Sequence, residues 1–585
     1  MRWATFWLSI VLSVPAQAEY LFYISTQSFP YAEGSGELPA ILAKIDSTAA
    51  ACASLPTRGT VYYFCDCGAG AEGDCVVGDN ANAGTNPSAP KRTIAAATTL
   101  TSSWNNNTNH TIAFCKGGAF ETVSAYGEPI NRLGCTAGTT CDDWREYSPT
   151  TFTGTAKPLI VDPVAGPIYT IRFESGAYGG IRFLNLATEG NNHGGFHFYN
   201  GAHDVTMCNL SMNGHSLPFS LSTNTGKTLP NEIHIEGNYI TNSVAMGYQG
   251  GGNNVTLSYN SWIGNGATNV QDHTIYIGSE QEIVNFKMNG NYIFGQYGSS
   301  CLGNPVVGHA AVVGFEMINN YIELDPAETS GGCWGIGLGN NTGNVAPVYW
   351  VNATVSNNTI INGGNTGIYI SGCPSCVIEN NRIVMNWPYG NNLIKGIHVV
   401  RDINRGQDLD SNANHIRNNT IFFGSATTGT NIGVVTDAEG TGHTLSNNSI
   451  VSEQSSGELT CFGHDWGGKT LTADTIPPLP LSAYAFQDNN HCYRNGTFYF
   501  GRLQTQAYIQ GVQQALYTYY DLSAWQSYSS FDANSVTGNP AFTNPSTYDF
   551  RSTYLGGKGN NTYKSLTGFT GNTRASPPAI GAFEP

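Results

Sequence analysis

Eight short segments in the middle of the chain share one pattern, apolar-x-apolar-x-x-Asn-x-apolar. They are IHIEGNYI (233–240), VTLSYNSW (255–262), FKMNGNYI (286–293), FEMINNYI (315–322), ATVSNNTI (353–360), CVIENNRI (376–383), NHIRNNTI (414–421) and HTLSNNSI (443–450). Two looser copies, IRFLNLAT (181–188) and VTMCNLSM (205–212), precede them. The last residues of successive copies are 24, 28, 22, 31, 29, 38, 23, 38 and 29 residues apart. A floor with longer intervals above it is what one structural turn with loop insertions gives. A second short run falls in many turns, as in GFHFYN (195–200), TIYIGS (274–279), GIGLGN (335–340), GIYISG (367–372) and GIHVVR (396–401). Alternation in both runs is strand-like, with one set of side chains inward and the other outward.

Two or three short strands per turn, broken by Gly and Asn, are too short for separate hairpin domains. They can coil into a solenoid, each strand pairing in parallel with its counterpart in the next turn. The Asn two before each final residue is expected to stack inside a bend, its amide bonding its neighbours above and below while the residue takes a left-handed conformation. At one strand spacing of ~4.8 Å per coil, ten coils make a rod section of roughly 45–50 Å.

The rest of the composition fits a turn-rich β protein. Of 585 residues, 70 are Gly and only 11% are charged, against ~25% in an ordinary soluble protein. Charge-driven disorder and long helices are both disfavoured. A net charge of −16 argues against nucleic acid or any partner held through phosphates. Residues 1–18 read as a secretory signal: Arg2, an apolar stretch from Trp3 to Val14, and the small-x-small site Ala16-Gln17-Ala18. The apolar stretch is shorter than the ~20 residues a bilayer span needs, and no later segment is long enough. The expectation is a monomer that is secreted, periplasmic or on the cell surface. Its expected parts are the signal (1–18), an N-terminal segment and cap (19–150), the repeats (151–455), and irregular coils with a closing cap (456–585).

None of the 14 Cys lies in residues 1–18. In an oxidising compartment, close pairs such as Cys135 with Cys141 and Cys373 with Cys376 read as loop staples. Cys373-Pro-Ser-Cys376 has redox-motif spacing without a βαβ context, and no second Cys or His pair stands at zinc-site spacing. The Asn-x-Ser/Thr sequons mostly fall on the repeat itself, as at Asn357 and Asn447, and read as structural.

The repeats resemble those of the secreted right-handed parallel β-helix proteins, the architecture of pectate lyases and several alginate lyases. GDNANAGTNPSAPKRTIAAA (78–97) resembles their entry segment; NPAFTNPSTYDF (539–550) with SPPAIGAFEP (576–585) resembles their C-terminal end. The resemblance covers most of residues 60–585. It implies an all-β fold, a right-handed parallel β-helix with an N-terminal cap and an irregular C-terminal extension. For activity it implies a range, because this repeat serves lyases, epimerases, hydrolases and adhesins alike.

Outward positions narrow the range. Tyr239, Tyr292 and Tyr321 fall in one column of the repeat and can stack under sugar rings or shield the sheet. The second run puts His197, Tyr276, Tyr369 and His398 outward, with Asp272, His273, Lys395, Arg401 and Asp402 around them. Arg382, Lys395, Arg401, Arg405 and Arg417 form a local excess in a chain with only 25 Lys and Arg, suited to an acidic polysaccharide or to pairing with Asp402, Asp408 and Asp410. β-Elimination from a uronate needs a neutralised carboxylate, a base and an acid. The assignment that follows is His273 or Lys395 as base, Tyr276 or Tyr369 as acid, and Arg401 and Arg417 as carboxylate clamps. His398 orients, and Asp272 holds His273. Lyases of the resembled group often use Ca²⁺, whose clustered acidic signature is not legible here. The paired-Asp and Gly-His-Gly signatures of hydrolases are likewise missing. A secreted lyase for a uronate-containing glycan is the leading expectation, a non-catalytic adhesin or surface protein the alternative, and an epimerase or hydrolase the third.

Overall fold

A computed structural model describes residues 37–585 except 105–107, 125, 133–134, 136–138, 140, 151, 163–168, 175–177, 225, 267–271, 296–302, 325–332, 340–347, 390–392, 401–410, 438–439, 466–480, 510–511 and 571. The signal-like segment, Arg401, Asp402, Arg405, Asp408 and Asp410 therefore lie outside the described residues.

The chain coils into a parallel β-helix. Three sheets of 14 strands run its length, and each coil gives one strand to each in turn. One coil shows the scheme: Asn231–Glu236 lies in sheet A, Tyr239–Thr241 in sheet B and Tyr248–Gly250 in sheet C, and Asn253–Ser258 re-enters sheet A. Parallel pairing begins at Thr60–Phe64 and reaches Val536–Thr537, so coils extend on both sides of the 151–455 repeats.

The ten repeat-ending residues form one row in sheet B. Thr188 pairs with Met212, then come Ile240, Trp262, Ile293, Ile322, Ile360, Ile383, Ile421 and Ile450. All are buried, and each large apolar side chain in the row contributes about 1.5–3 kcal/mol by leaving water.

The asparagine ladder stands beside this row. The Nδ2 of Asn238 donates to Oδ1 of Asn260, and the chain of amides continues through Asn291, Asn320, Asn358, Asn381, Asn419 and Asn448 to Asn490 at 2.9–3.2 Å per step. Each amide also donates to a backbone carbonyl one coil earlier, as Asn358 does to Met317 at 2.8 Å. The last member reaches the buried carboxylate of Asp532, which also accepts from Trp525, Gln487 and Ser535. One expectation needs correcting. The left-handed residue is the one before the ladder Asn: Tyr259, Asn319, Asn357, Asn380, Asn418, Asn447 and Asn489 have φ of 54–59°. The ladder residue itself must aim its amide along the rod, so its neighbour makes the turn. In the two looser copies Asn185 and Asn209 occupy that turning position, and Leu186 and Leu210 fill the ladder slot.

The outside of sheet B is covered. Helix α1 (Glu37–Ala53) packs Leu38, Ile41, Leu42 and Ile45 against Tyr239, Tyr259, Ile263 and Tyr292, and the Cys52–Cys208 disulfide ties its end to the coils. A 17-residue helix corrects the expectation that long helices are absent. Its apolar residues recur every three to four positions, a helical period that the whole-chain composition hides. Farther along, the C-terminal tail packs Tyr548 and Phe550 over Tyr321, Ile361, Val384, Phe422 and Val451. The tail is held to the turning asparagines: Asn380 bonds Thr567 and Arg574, Asn418 bonds Ser565, and Asn447 bonds Asn560.

Both local disulfides, Cys135–Cys141 and Cys373–Cys376, are present, together with Cys65–Cys115, Cys67–Cys75 and Cys461–Cys492. No described helix is long and apolar enough to cross a membrane.

Candidate functional site

Sheet C carries the chemistry. Its backbone register places Arg172, His197, Ser220, Gln249, Tyr276, Val307, Gly337, Tyr369 and His398 in one row across successive coils. Two of the expected site groups thus share a face. They are not one cluster, because Tyr276 and Tyr369 are three strand spacings apart, roughly 14 Å at ~4.8 Å each.

The first group is a depression of about 260 Å³ lined by Trp334, Asn365, Thr366, Tyr369, Leu393, Lys395 and His398. Lys395 and His398, three apart, would point to opposite faces of a regular strand. Along Leu393–Val400 the alternation changes phase at Gly396, so that both side chains end up half-buried on the outer face. Gly396 sits where a Cβ would come within 2.6 Å of the Gly433 carbonyl on the next coil, so this phase change requires glycine. Lys395 Nζ lies 3.1 Å from His398 Nδ1. Burial first, and then the Lys395 charge, hold His398 well below the usual histidine range. A neutral His398 accepts the ammonium proton at Nδ1 and keeps a proton on Nε2. His398 therefore orients Lys395 as a cation.

Two aromatic rings complete this group. Trp334 and Tyr369 stack with centroids 4.3 Å apart, and Tyr369 meets the His398 ring edge-on at 5.4 Å. Both rings lean over glycines. A Cβ at Gly337 would be 2.7 Å from Trp334 Cε3, and one at Gly339 would be 2.6 Å from Tyr369 Cε1. The stacked pair gives the depression an aromatic wall against which a sugar ring can pack.

The second group is His273, Tyr276 and His309. His273 Nδ1 accepts from the Asn304 backbone N–H at 2.9 Å, so an amide of the next coil sets the ring that Asp272 was expected to hold. Burial, and then His309, push His273 down to about 3. That removes it as a base at neutral pH, since its neutral ring carries the remaining proton on Nε2. Tyr276 lies parallel to His273 at 5.7 Å and edge-on to His309 at 5.8 Å.

The remaining expected residues go elsewhere. Arg417 stands on sheet A, where its Nε pairs with Glu379 at 2.6 Å. Arg382 is buried on sheet B, bonded to Thr359 and the Tyr548 carbonyl, and burial lowers it to about 9. Arg382, Lys395 and Arg417 do not share one groove, because they stand on sheets B, C and A. Tyr292 and Tyr321 are buried beneath α1 and the tail and offer no face to a sugar. Sequence reasoning missed Trp334 and His309. The signal for Trp334 is an aromatic just ahead of Gly-Ile-Gly, with the second glycine beneath its ring.

The fit to Ca²⁺ is poor among the described residues. The two groups of three metal-type donors are Cys65, Cys75 and Cys115, and Cys52, Cys208 and Glu236. Their sulfurs are committed to disulfides, whereas Ca²⁺ takes oxygen ligands.

No protein-family model matches the chain, and no curated protein matches it. Among solved structures it is similar to a rhamnogalacturonan lyase, at 11% identity over 66% of this chain and 84% of that one, with a TM-score of 0.34. It is similar to the A-module of an Azotobacter vinelandii mannuronan C-5 epimerase, at 15% identity over 68% and 95%, with a TM-score of 0.35. It is also similar to the Dettilon tailspike protein, at 11% identity over 66% of each chain, with a TM-score of 0.35.

Proposed function

We propose that the protein acts on a uronate-containing polysaccharide in the Trp334–Tyr369–Lys395–His398 depression, cleaving it by β-elimination outside the cytoplasm. One observation carries the reading: a stacked aromatic pair lies beside an oriented ammonium on sheet C, whereas α1 and the tail pack on sheet B. A pyranose stacked on Trp334 and Tyr369 brings its carboxylate to Lys395, which neutralises it and stabilises the carbanion that forms next to it. Tyr369 is the proton-transfer group within reach. Starting as the phenolate, Tyr369 takes the C5 proton on its oxygen, the C4–C5 double bond forms as the C4–O bond breaks, and the same proton passes to the leaving oxygen, which restores the phenolate. The disulfides fit an oxidising compartment.

The test is incubation with alginate, pectate and glycosaminoglycans, with and without Ca²⁺, while following ultraviolet absorbance of the unsaturated product. Signal on one polymer, lost in Lys395→Ala and Tyr369→Phe, is the expected result. Signal surviving both substitutions would discard this site. Binding without any signal would replace the lyase with a non-catalytic glycan-binding surface protein.

A further inference from the structure

The second group on sheet C has a different chemistry from the first. His309 Nδ1 faces the carbonyl of Gly339, and a carbonyl only accepts, so the proton of the neutral ring sits on Nδ1 and the Nε2 lone pair is bare. Burial lowers the His309 pKa, which keeps the ring neutral at pH 7. His273 has the opposite tautomer, because its Nδ1 accepts from Asn304 N–H. One histidine thus presents an acceptor and the other a donor, on either side of Tyr276. The Tyr276 ring leans over a glycine as Trp334 and Tyr369 do: a Cβ at Gly278 would be 2.3 Å from its Cε1. Asn304 ties the two groups together, since its N–H holds His273 and its Oδ1 accepts from the Trp334 backbone at 2.8 Å.

No charged side chain among the described residues perturbs this second group. The nearest ionisable neighbours along its strand are Asp272 and Glu280, and the flanking segments 267–271 and 296–302 contain no Lys or Arg. A uronate carboxylate placed here would find, among the described residues, no Lys or Arg acting on His273, Tyr276 or His309. A hydroxyl-bearing uncharged sugar would meet a ring face, one acceptor and one donor.

We infer that Tyr276, His309 and His273 form a subsite for an uncharged sugar, and that the substrate is a heteroglycan in which neutral sugars alternate with uronates. This rests on the reading of Lys395 as the uronate site. The separation of roughly 14 Å, three strand spacings of ~4.8 Å, lets one glycan lying along sheet C reach both groups.

The experiment compares equilibrium binding of hyaluronan oligosaccharides, which alternate uronate with a neutral amino sugar, and alginate oligosaccharides, which contain uronates only. Wild-type protein is measured beside His309→Gln, Tyr276→Ala, Gly278→Ala and Lys395→Ala. Gly278→Ala displaces the Tyr276 ring without replacing either histidine, and thermal unfolding confirms that each variant is folded. The expected result is about a tenfold loss of hyaluronan affinity in each of the first three, the worth of one or two hydrogen bonds or a stacked ring, with alginate affinity unchanged. Equal losses on both glycans would overturn the selectivity for an uncharged sugar. No loss on either, with Lys395→Ala still weakening both, would overturn the subsite and leave the uronate site standing. Losses in the first three with none in Lys395→Ala would overturn the uronate reading instead.

Discussion

Sheets B and C both carry tyrosines at outward positions, yet the two faces do opposite work. On sheet B, Tyr292 and Tyr321 belong to a second apolar core with α1 and the tail. On sheet C, Tyr276 and Tyr369 lie half-buried over glycines. Alternation along a strand decides inside from outside of a coil, but not whether another part of the chain covers the outside. Tyr292 has Tyr259 and Phe294 as apolar company, and Tyr321 has Ile361 and Val384. Tyr369 has Gly339 beneath it and Lys395 and His398 beside it. The neighbours on adjacent coils, more than the tyrosine itself, tell a covered face from a working one.

Substitutions can break this contrast. The largest expected effect is on stability: Tyr321→Ala removes a fully buried ring and should cost about 3–5 kcal/mol in denaturant unfolding, while glycan affinity of the folded fraction stays unchanged. If Tyr321→Ala impaired binding at native stability, sheet B would have to be read as a working face. Next in size is the converse. Lys395→Ala should leave the melting temperature unchanged and lower turnover about a hundredfold, equivalent to about 2.7 kcal/mol.

Acid should destabilise the whole rod. Burial holds His197, His215, His443 and His491 at about 4, and His273 and His464 at about 3, against 6.5 when unfolded. Each is depressed in the folded state, so its contribution is present above about pH 6.5 and lost as pH falls towards the folded value. Asp162 and Asp532, raised to about 6 by burial, run the other way: their contribution is present below 3.8 and lost as pH rises through 6. The six histidines outweigh the two aspartates, so the melting temperature should fall between pH 7 and pH 4. His215→Gln, which removes a ring bonded to Thr188 Oγ1 at 2.8 Å, should flatten that fall, and an unchanged slope would contradict the assignment. The smallest expected effect is that of Gly339→Ala, which should tilt the Tyr369 ring and weaken glycan binding by a few-fold.

The coil was legible because a hydrogen-bond ladder requires the same residue at the same place in every turn. Asn238 through Asn448 announce themselves that way, and the row of Ile and Trp beside them follows. The turning position before each Asn was harder to read, since Gly237, Tyr259 and Asn319 all serve there, and the requirement is a backbone angle met by several residue types. His398 and Tyr369 were legible as outward residues of repeated strands, and Lys395 only as a neighbour of them in sequence. Their convergence depends on the phase change at Gly396, which is a property of packing between coils. Arg417 and Arg382 were misplaced for the same reason: adjacency in sequence becomes separation around the rod. The cover on sheet B was hidden because α1 and the tail come from the two ends of the chain.

The central claim is that the outer face of sheet C, at Trp334, Tyr369 and His398, is where the polysaccharide lies. Hydroxyl-radical footprinting with and without a uronate oligosaccharide reads this directly. The account predicts reduced oxidation of Trp334, Tyr369 and His398 in the complex, with His234 and His415 on sheet A unchanged. Protection of His234 and His415 with none at Trp334 and Tyr369 would contradict it.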